Sequence, residues 1–293
     1  MKKILFIVTV LLTTLMLSAC NLTNNVELLE YSNSISTDKF ATKFEDFDEN
    51  IKKLYSGDYS LKATHDVETV TTSQYDNNET SLSTTTEKSH NSLDVKVDLL
   101  NEICTEKANT TSSKKVKSAS TTLNETGYEK TDKLYTTDGY KTVFISKDDK
   151  SYYTTDAYVD PATNKKVRIF DNLINSFVAD VLTINPYLNN KDADYYFDNN
   201  NIYTIIYTDT IDEEDKDNDT SSTTVRNETI QLVLENNKIT YLHTITLDIV
   251  EKNGKKTTTT TTQEKTMVNI TYEDVEIEVF DYISYECLDE EDD

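Results

Sequence analysis

Three histidines, three cysteines and one dense acidic run are the features of this 293-residue chain whose types and spacing invite chemistry. His65 and His243 alternate with apolar neighbours, which places each on the apolar side of a strand, whereas His90 stands in a polar stretch. Two inward imidazoles are either a pair of metal ligands or two satisfied wall histidines, and the second is the plainer reading. The run Asp212-Glu213-Glu214-Asp215-Lys216-Asp217-Asn218-Asp219 invites a test for calcium. Counting Asp217 as the first position, the twelfth is Glu228, as a calcium loop requires, but the sixth is Ser222 where the sharp turn needs Gly. A solvated hairpin tip is therefore expected, and no metal site is assigned. Cys104 and Cys287 either pair in an exported protein or stay as thiols, and neither has a His or Cys neighbour at zinc-ligand spacing. The chain contains no H-E-x-x-H, no G-x-S-x-G and no phosphate-cradling loop. Carboxylates are so abundant that no pair stands out, so no catalytic residue and no cofactor are assigned and no enzymatic activity is expected.

The third cysteine carries a sharper signal. Lys2-Lys3 precede an apolar stretch from Ile4 to Leu17, and Ser18-Ala19 then lead into Cys20. A charged start, an apolar core and small residues before the cut mark a secretory signal. The tetrad Leu17-Ser18-Ala19-Cys20 resembles the lipobox of bacterial lipoproteins. That resemblance implies diacylglyceryl transfer to the Cys20 thiol, cleavage before Cys20, and acylation of the new amino terminus with chains such as palmitate. An ordinary signal peptide, or an uncleaved helix that happens to carry a Cys, is the alternative. Each buried methylene contributes about 0.8 kcal/mol, so two or three chains on one residue hold a protein stably at a membrane. The expected location is the extracytoplasmic face of the bacterial cell membrane, lipid-anchored. No later segment approaches the roughly 20 apolar residues of a spanning helix.

With 53 Asp and Glu against 29 Lys and Arg the chain carries a formal charge of -24, which becomes -26 once Lys2 and Lys3 leave with the signal. Such a body repels polyanions, so no nucleic acid is expected as a partner, and it is held away from anionic headgroups. A hydrophobic share of 36%, including 19 Tyr and 9 Phe, is enough to build a core.

In Thr37 to Tyr55 the apolar residues Phe40, Phe44, Phe47, Ile51 and Leu54 recur at steps of four and three, which predicts an amphipathic helix. Thr37 or Asp38 is its expected N-cap and Gly57 its end. Period-two alternation follows: Tyr59, Leu61, Ala63, His65 and Val67 share one face, as do Leu93, Val95, Val97 and Leu99. Turn signals at Asp76-Asn77-Asn78, Asp138-Gly139, Asp148-Asp149, Asn236-Asn237 and Asn253-Gly254 separate the runs into a meander. Segments 58 to 75, 80 to 100, 223 to 235, 237 to 252 and 255 to 272 exceed the usual strand of about five or six residues, so strong twist or bulging is expected. The Thr-rich stretches 69 to 73, 83 to 86 and 257 to 262 read as exposed strand ends, with a disordered or modified Thr tract as the rival reading. Between the two sets of strands, Arg168 to Leu182 carries a wide apolar stripe and stops at Asn185-Pro186. It is expected to be a helix that covers the concave apolar face.

The expected class is thus α+β: a long curved antiparallel sheet, or half-barrel, with an N-terminal and a central helix. Leu134-Tyr135-Thr136-Thr137-Asp138-Gly139-Tyr140, Tyr152-Tyr153, and the strand-turn-strand Ile230 to Ile239 give this order a texture that resembles the LolA/LppX-like lipoprotein-carrier superfamily. The resemblance covers residues 37 to about 280; the acidic hairpin at 209 to 222 and the extended strands depart from it. It implies a cavity between sheet and helices that holds a lipid or other apolar ligand. Candidate lining residues are the inward Leu61, Leu93, Val95, Ile239, Tyr241, Ile245 and Leu247 together with Phe177 and Val181 of the central helix. Close packing of the same residues into a solid core is the alternative.

The expected organisation is a signal peptide over 1 to 19, a lipidated Cys20 and polar spacer to 36, one domain over 37 to 283, and an acidic tail over 284 to 293. Two functions suit it. One is a membrane-anchored lipoprotein that binds a lipid or apolar molecule without a covalent step. The other is a surface display or adhesion lipoprotein with a filled core, whose exposed strand faces contact a partner protein. Oligomeric state and organism are not legible.

Overall fold

The computed structural model describes residues 28–54, 58–75, 78–98, 101, 103–118, 120–135, 140–147, 150–157, 159–160, 165–166, 192–198, 201–215, 219–235, 237–277 and 286–287. The chain divides into two units, Met1–Glu30 and Tyr31–Asp293. Of the first only residues 28–30 are described, and they carry no regular structure. The fold lies in the second.

After a two-residue strand β1 (Ser34–Ile35) the chain enters helix α1 (Thr37–Leu54). The amide of Phe40 donates to the carbonyl of Ser36 at 2.9 Å, which makes Ser36 the N-cap, one residue before the expected position. Six strands follow as a meander: β2 (Tyr59–Tyr75), β3 (Asn78–Asp98), β4 (Ile103–Lys117), β5 (Thr122–Tyr135), β6 (Tyr140–Lys147) and β7 (Lys150–Ala157). A small separate pair, β8 (Val159–Asp160) and β9 (Lys165–Lys166), comes next. A second meander runs through β10 (Ala193–Asp198), β11 (Ile202–Asp215), β12 (Thr220–Glu235), β13 (Lys238–Asn253) and β14 (Lys256–Tyr272), and β15 (Glu286–Cys287) closes the series. The two meanders make one sheet because β14 pairs antiparallel with β2, from Tyr272 opposite Tyr59 to Lys256 opposite Tyr75. The order across this 13-stranded sheet is β1-β10-β11-β12-β13-β14-β2-β3-β4-β5-β6-β7-β15.

The expected turns fall between the expected strands. Tyr75 pairs with Asn78, Lys147 with Lys150, Glu235 with Lys238, and Asn253 with Lys256, so each of these loops is two residues long. Gly254 opens the last of them at φ 56°, the left-handed region that a residue without Cβ enters at no steric cost.

The α+β class is corrected. Among the described residues there are fifteen strands and one helix, so the fold is nearly all β. The Thr-rich stretches lie toward strand ends as expected, but half-buried rather than exposed: Thr257 to Thr262 falls in the first part of β14, paired with β13 on one side and β2 on the other, and 69 to 73 in the last part of β2. β-Branched side chains fit the pleat whether or not they are buried, so the strands run on past the core. The central helix expected over 168 to 182, including Phe177 and Val181, lies outside the described residues. Parts of the expected spacer and tail join the sheet, since Ser34 and Ile35 pair with Tyr196 and Tyr195, and Glu286 and Cys287 pair in parallel with Tyr152 and Tyr153.

Register places the core. Tyr59, Leu61, Ala63, His65 and Val67 of β2 share a face with Tyr272, Ile270, Val268, Thr266 and Glu264 of β14, and the same face continues through Tyr241 and Ile239 of β13 to Leu232, Ile230, Tyr203, Ile205 and Tyr195. On it α1 lays Phe40, whose ring centroid lies 5.0 Å from that of Tyr195 and 5.9 Å from that of Tyr203. The Tyr203 hydroxyl donates to the carbonyl of Lys43 at 3.1 Å, fixing the helix to the β11 end of the sheet. Phe40 is wholly buried, so its ring contributes several kcal/mol to holding helix on sheet.

Candidate functional site

The face that carries the core changes character along the strands. At the end where β2 begins it is dry: Leu61, Val95 and Ile239 are 1%, 2% and 1% exposed. Tyr241 is buried beside them, Leu93 packs against the cluster half-buried, and Ile245 and Leu247 lie further along β13, also half-buried. All seven strand candidates therefore share one face, as the alternation predicts. Four of them are packed shut.

A line of polar groups crosses this face where the apolar part stops. His65 Nδ1 meets Thr266 Oγ1 at 2.9 Å. One strand on, His243 Nε2 lies 2.5 Å from Glu228 Oε1, and the Arg226 guanidinium reaches the other Glu228 oxygen at 2.8 Å. The Glu228 side chain is buried; the pairing of β12 with β13 brings His243 within its reach, and Arg226 stands two residues away on the same face of β12. His65 and His243 do share the apolar face, but β14 separates them, and at about 4.8 Å per strand their backbones stand roughly 10 Å apart. They do not converge on one ion. Among the described residues no group of three His, Cys, Asp or Glu side chains is arranged to hold a metal. His90 lies on the opposite face, 2.5 Å from Asp66 Oδ1.

The calcium reading falls with the same register. β12 begins at Thr220, so residues 220 to 228 are strand rather than loop, and Glu228 is committed to His243 and Arg226. Cys104 is a free thiol, buried on the apolar face beside Val97. Burial, and after it the nearby Glu106 carboxylate, pushes its pKa up from 9.0 to about 12. The Glu106 carboxylate is held by Lys133 at 2.6 Å.

Beyond the polar line the face becomes a hydroxyl ladder. Thr69 and Thr262, Thr71 and Thr260, and Ser73 and Thr258 face each other across the β2–β14 seam with oxygen separations of 3.2 Å each. An open cleft of about 510 Å³ lies on this part of the sheet, floored by Val67, Ser89, Ser112 and Gly127. A Cβ at Gly127 would stand 2.7 Å from Ser112 Oγ, so glycine is what lets β5 carry a smooth floor there. Lys114 and Glu87, 2.7 Å apart, border it, and that carboxylate raises the lysine pKa by accepting its hydrogen bond and by charge.

No protein-family model and no curated protein matches the chain. Among solved structures it is similar to OccK7 (OpdD) of Pseudomonas aeruginosa at 6% identity and a TM-score of 0.19, over 72% of this chain and 98% of that one. The beta domain of the Bordetella autotransporter BrkA matches at 7% identity and a TM-score of 0.20, over 74% and 100%. The S-type phycobiliprotein lyase CpeS from Guillardia theta matches at 8% identity and a TM-score of 0.14, over 80% and 99%. At these TM-scores the likeness does not amount to a shared fold.

Sequence reasoning singled out both inward histidines but not the Glu228–Arg226 arrangement that satisfies one of them. The signal was present in β12, where Arg226 and Glu228 occupy the same parity as the apolar Ile230 and Leu232. Polar residues on the inward parity of a strand mark the place where its core ends.

Proposed function

We propose that the chain is an extracytoplasmic lipoprotein, tethered through Cys20, whose sheet is a filled scaffold that presents its Thr-rich distal face to a partner protein. The observation that carries this reading is the change along one face: Leu61, Val95 and Ile239 are packed shut, while Thr71, Thr85, Thr224 and Thr260 further along are half-exposed. A packed core leaves no volume for cargo, and a rigid hydroxyl-bearing sheet offers many adaptable hydrogen-bonding groups with little entropy to lose on docking.

A second reading is favoured by the half-buried state of Ile245 and Leu247, the latter opposite Arg226 in the β12–β13 register. An amphiphile would lay its apolar part on those side chains and its anionic end on Arg226.

Replacement of Cys20 by Ser tests the tether: the variant should leave the membrane fraction, and unchanged partitioning would remove the anchor from the account. A photo-crosslinker at Thr85 in living cells separates the two readings. Adducts heavier by a protein other than the chain itself support the first, and adducts heavier only by a lipid support the second.

A further inference from the structure

The two faces of the sheet differ in charge. From β14 across to β5, among the described residues, the face that carries the core has three lysines against five glutamates, and the opposite face eight lysines against five carboxylates. The eight are unevenly met. Lys62, Lys107 and Lys130 stand among Asp94 and Asp132, Lys96 donates to the carbonyl of Glu276 at 3.1 Å, and Asp98 accepts from Asn101. Further along the strands, Lys88, Lys115, Lys117 and Lys265 share this face with only two carboxylates, Asp66 and Glu68.

Charge is also sorted by depth. Asp66, Glu68 and Asp132 are buried, whereas the side chains of Lys62 and Lys88 are 71% and 53% exposed, and Lys115 and Lys117 are exposed as well. A carboxylate ends close to the backbone, while a lysine carries its ammonium past it on a four-carbon stem and keeps it in water. The outer layer of this face is therefore cationic. Tyr128, an exposed ring on the same face, stands in the row of the His90–Asp66 pair, and an amphipathic ring of that kind suits the level of lipid headgroups.

The formal charge of -24 predicts repulsion from any anionic surface, but at physiological ionic strength charges are screened beyond about 8 Å. The glutamates of the core face project to the other side of the backbone. The acidic edge at Asp209, Asp212 and Glu213 of β11 is four strands from β2, roughly 19 Å at about 4.8 Å per strand. A surface approaching the opposite face of β2–β5 meets lysine first.

We propose that the face of β2–β5 opposite the core docks on an anionic phospholipid surface, so that the tethered sheet rests on the membrane with its Thr-rich face outward. The choice of a lipid surface among polyanions rests on the Cys20 tether proposed above, which keeps headgroups at high local concentration and lets a weak electrostatic contact suffice.

The test uses the full chain as its own cells produce it, extracted in mild detergent and reconstituted with vesicles of phosphatidylcholine alone or of phosphatidylcholine and phosphatidylglycerol in equal parts. Exposed amines are labelled with a membrane-impermeant reagent and located by tandem mass spectrometry. Lys88, Lys115 and Lys117 should label several-fold more slowly on the mixed vesicles, and salt at about 1 M, which shortens the screening length to about 3 Å, should erase the difference. Lys114, adjacent in sequence but on the core face, should label alike on both. Equal labelling of Lys115 on the two vesicles, or equal protection of Lys114, would overturn the proposal. Flotation keeps the two readings apart. A chain that floats only with the mixed vesicles retains the docking face and loses the tether, one that floats with both but shows no protection retains the tether and loses the docking face, and one that floats with neither loses both.

Discussion

His243 reaches across the β12–β13 pair to the buried carboxylate of Glu228, Nε2 to Oε1 at 2.5 Å, on the face that otherwise carries the core. A buried carboxylate is tolerated only while its charge is answered, and here an imidazole bonds one oxygen while the Arg226 guanidinium stands against the other as an ion pair without a hydrogen bond to it.

His243→Ala is therefore expected to destabilise the fold by about 2–4 kcal/mol, because it strands one oxygen of a buried charge. Replacing His243 and Glu228 together by Leu should cost less than His243→Ala alone. Urea unfolding of the native chain and the two variants checks this, and a double variant less stable than His243→Ala would mean that the contact is incidental.

Cys104 gives a pH dependence whose sign is fixed. Its folded pKa is raised from 9.0 to about 12, so the stability contributed by the neutral thiol is complete below pH 9 and is lost as pH rises toward 12. The native chain should lose more stability between neutrality and about pH 10.5 than Cys104→Val does. In the folded protein near neutrality the Cys104 thiol should resist alkylation that it accepts once unfolded, and rapid labelling would contradict its burial.

The hydroxyl ladder makes a subtler prediction. Thr260→Val removes one partner of the Thr71 hydroxyl at a half-exposed site where water can replace it, so the cost should stay within about 1 kcal/mol. Thr71→Val with Thr260→Val should return to native stability or exceed it, since both positions favour β-branched side chains. A loss of several kcal/mol in a thermal melt would show that the ladder is structural rather than a presented surface.

These variants also mark what was legible in advance. The strands and turns could be read because period two and Asn/Asp/Gly turn chemistry are local: Leu61, Ala63 and His65 alternate whatever lies beside them, and Asn253-Gly254 turns by itself. The α1 helix could be read for the same reason, from the spacing of Phe40 and Phe44. The joining of β14 to β2 was not legible, because Tyr59 and Tyr272 are far apart in the chain and nothing local names the partner of either. The polar line was missed on the same account. Glu228 is unremarkable in a chain with 53 acidic residues until register sets it against His243.

The central claim is that the apolar face is closed by its own side chains. Native mass spectrometry of the protein, released gently from the membrane of the cell that makes it, addresses this directly. The account predicts the mass of the acylated polypeptide, alone or in complex with protein, and no apolar molecule bound to it. A reproducible additional mass of an apolar molecule, lost when Ile245 and Leu247 are replaced by Asp, would contradict it and place cargo where the scaffold is held to be solid.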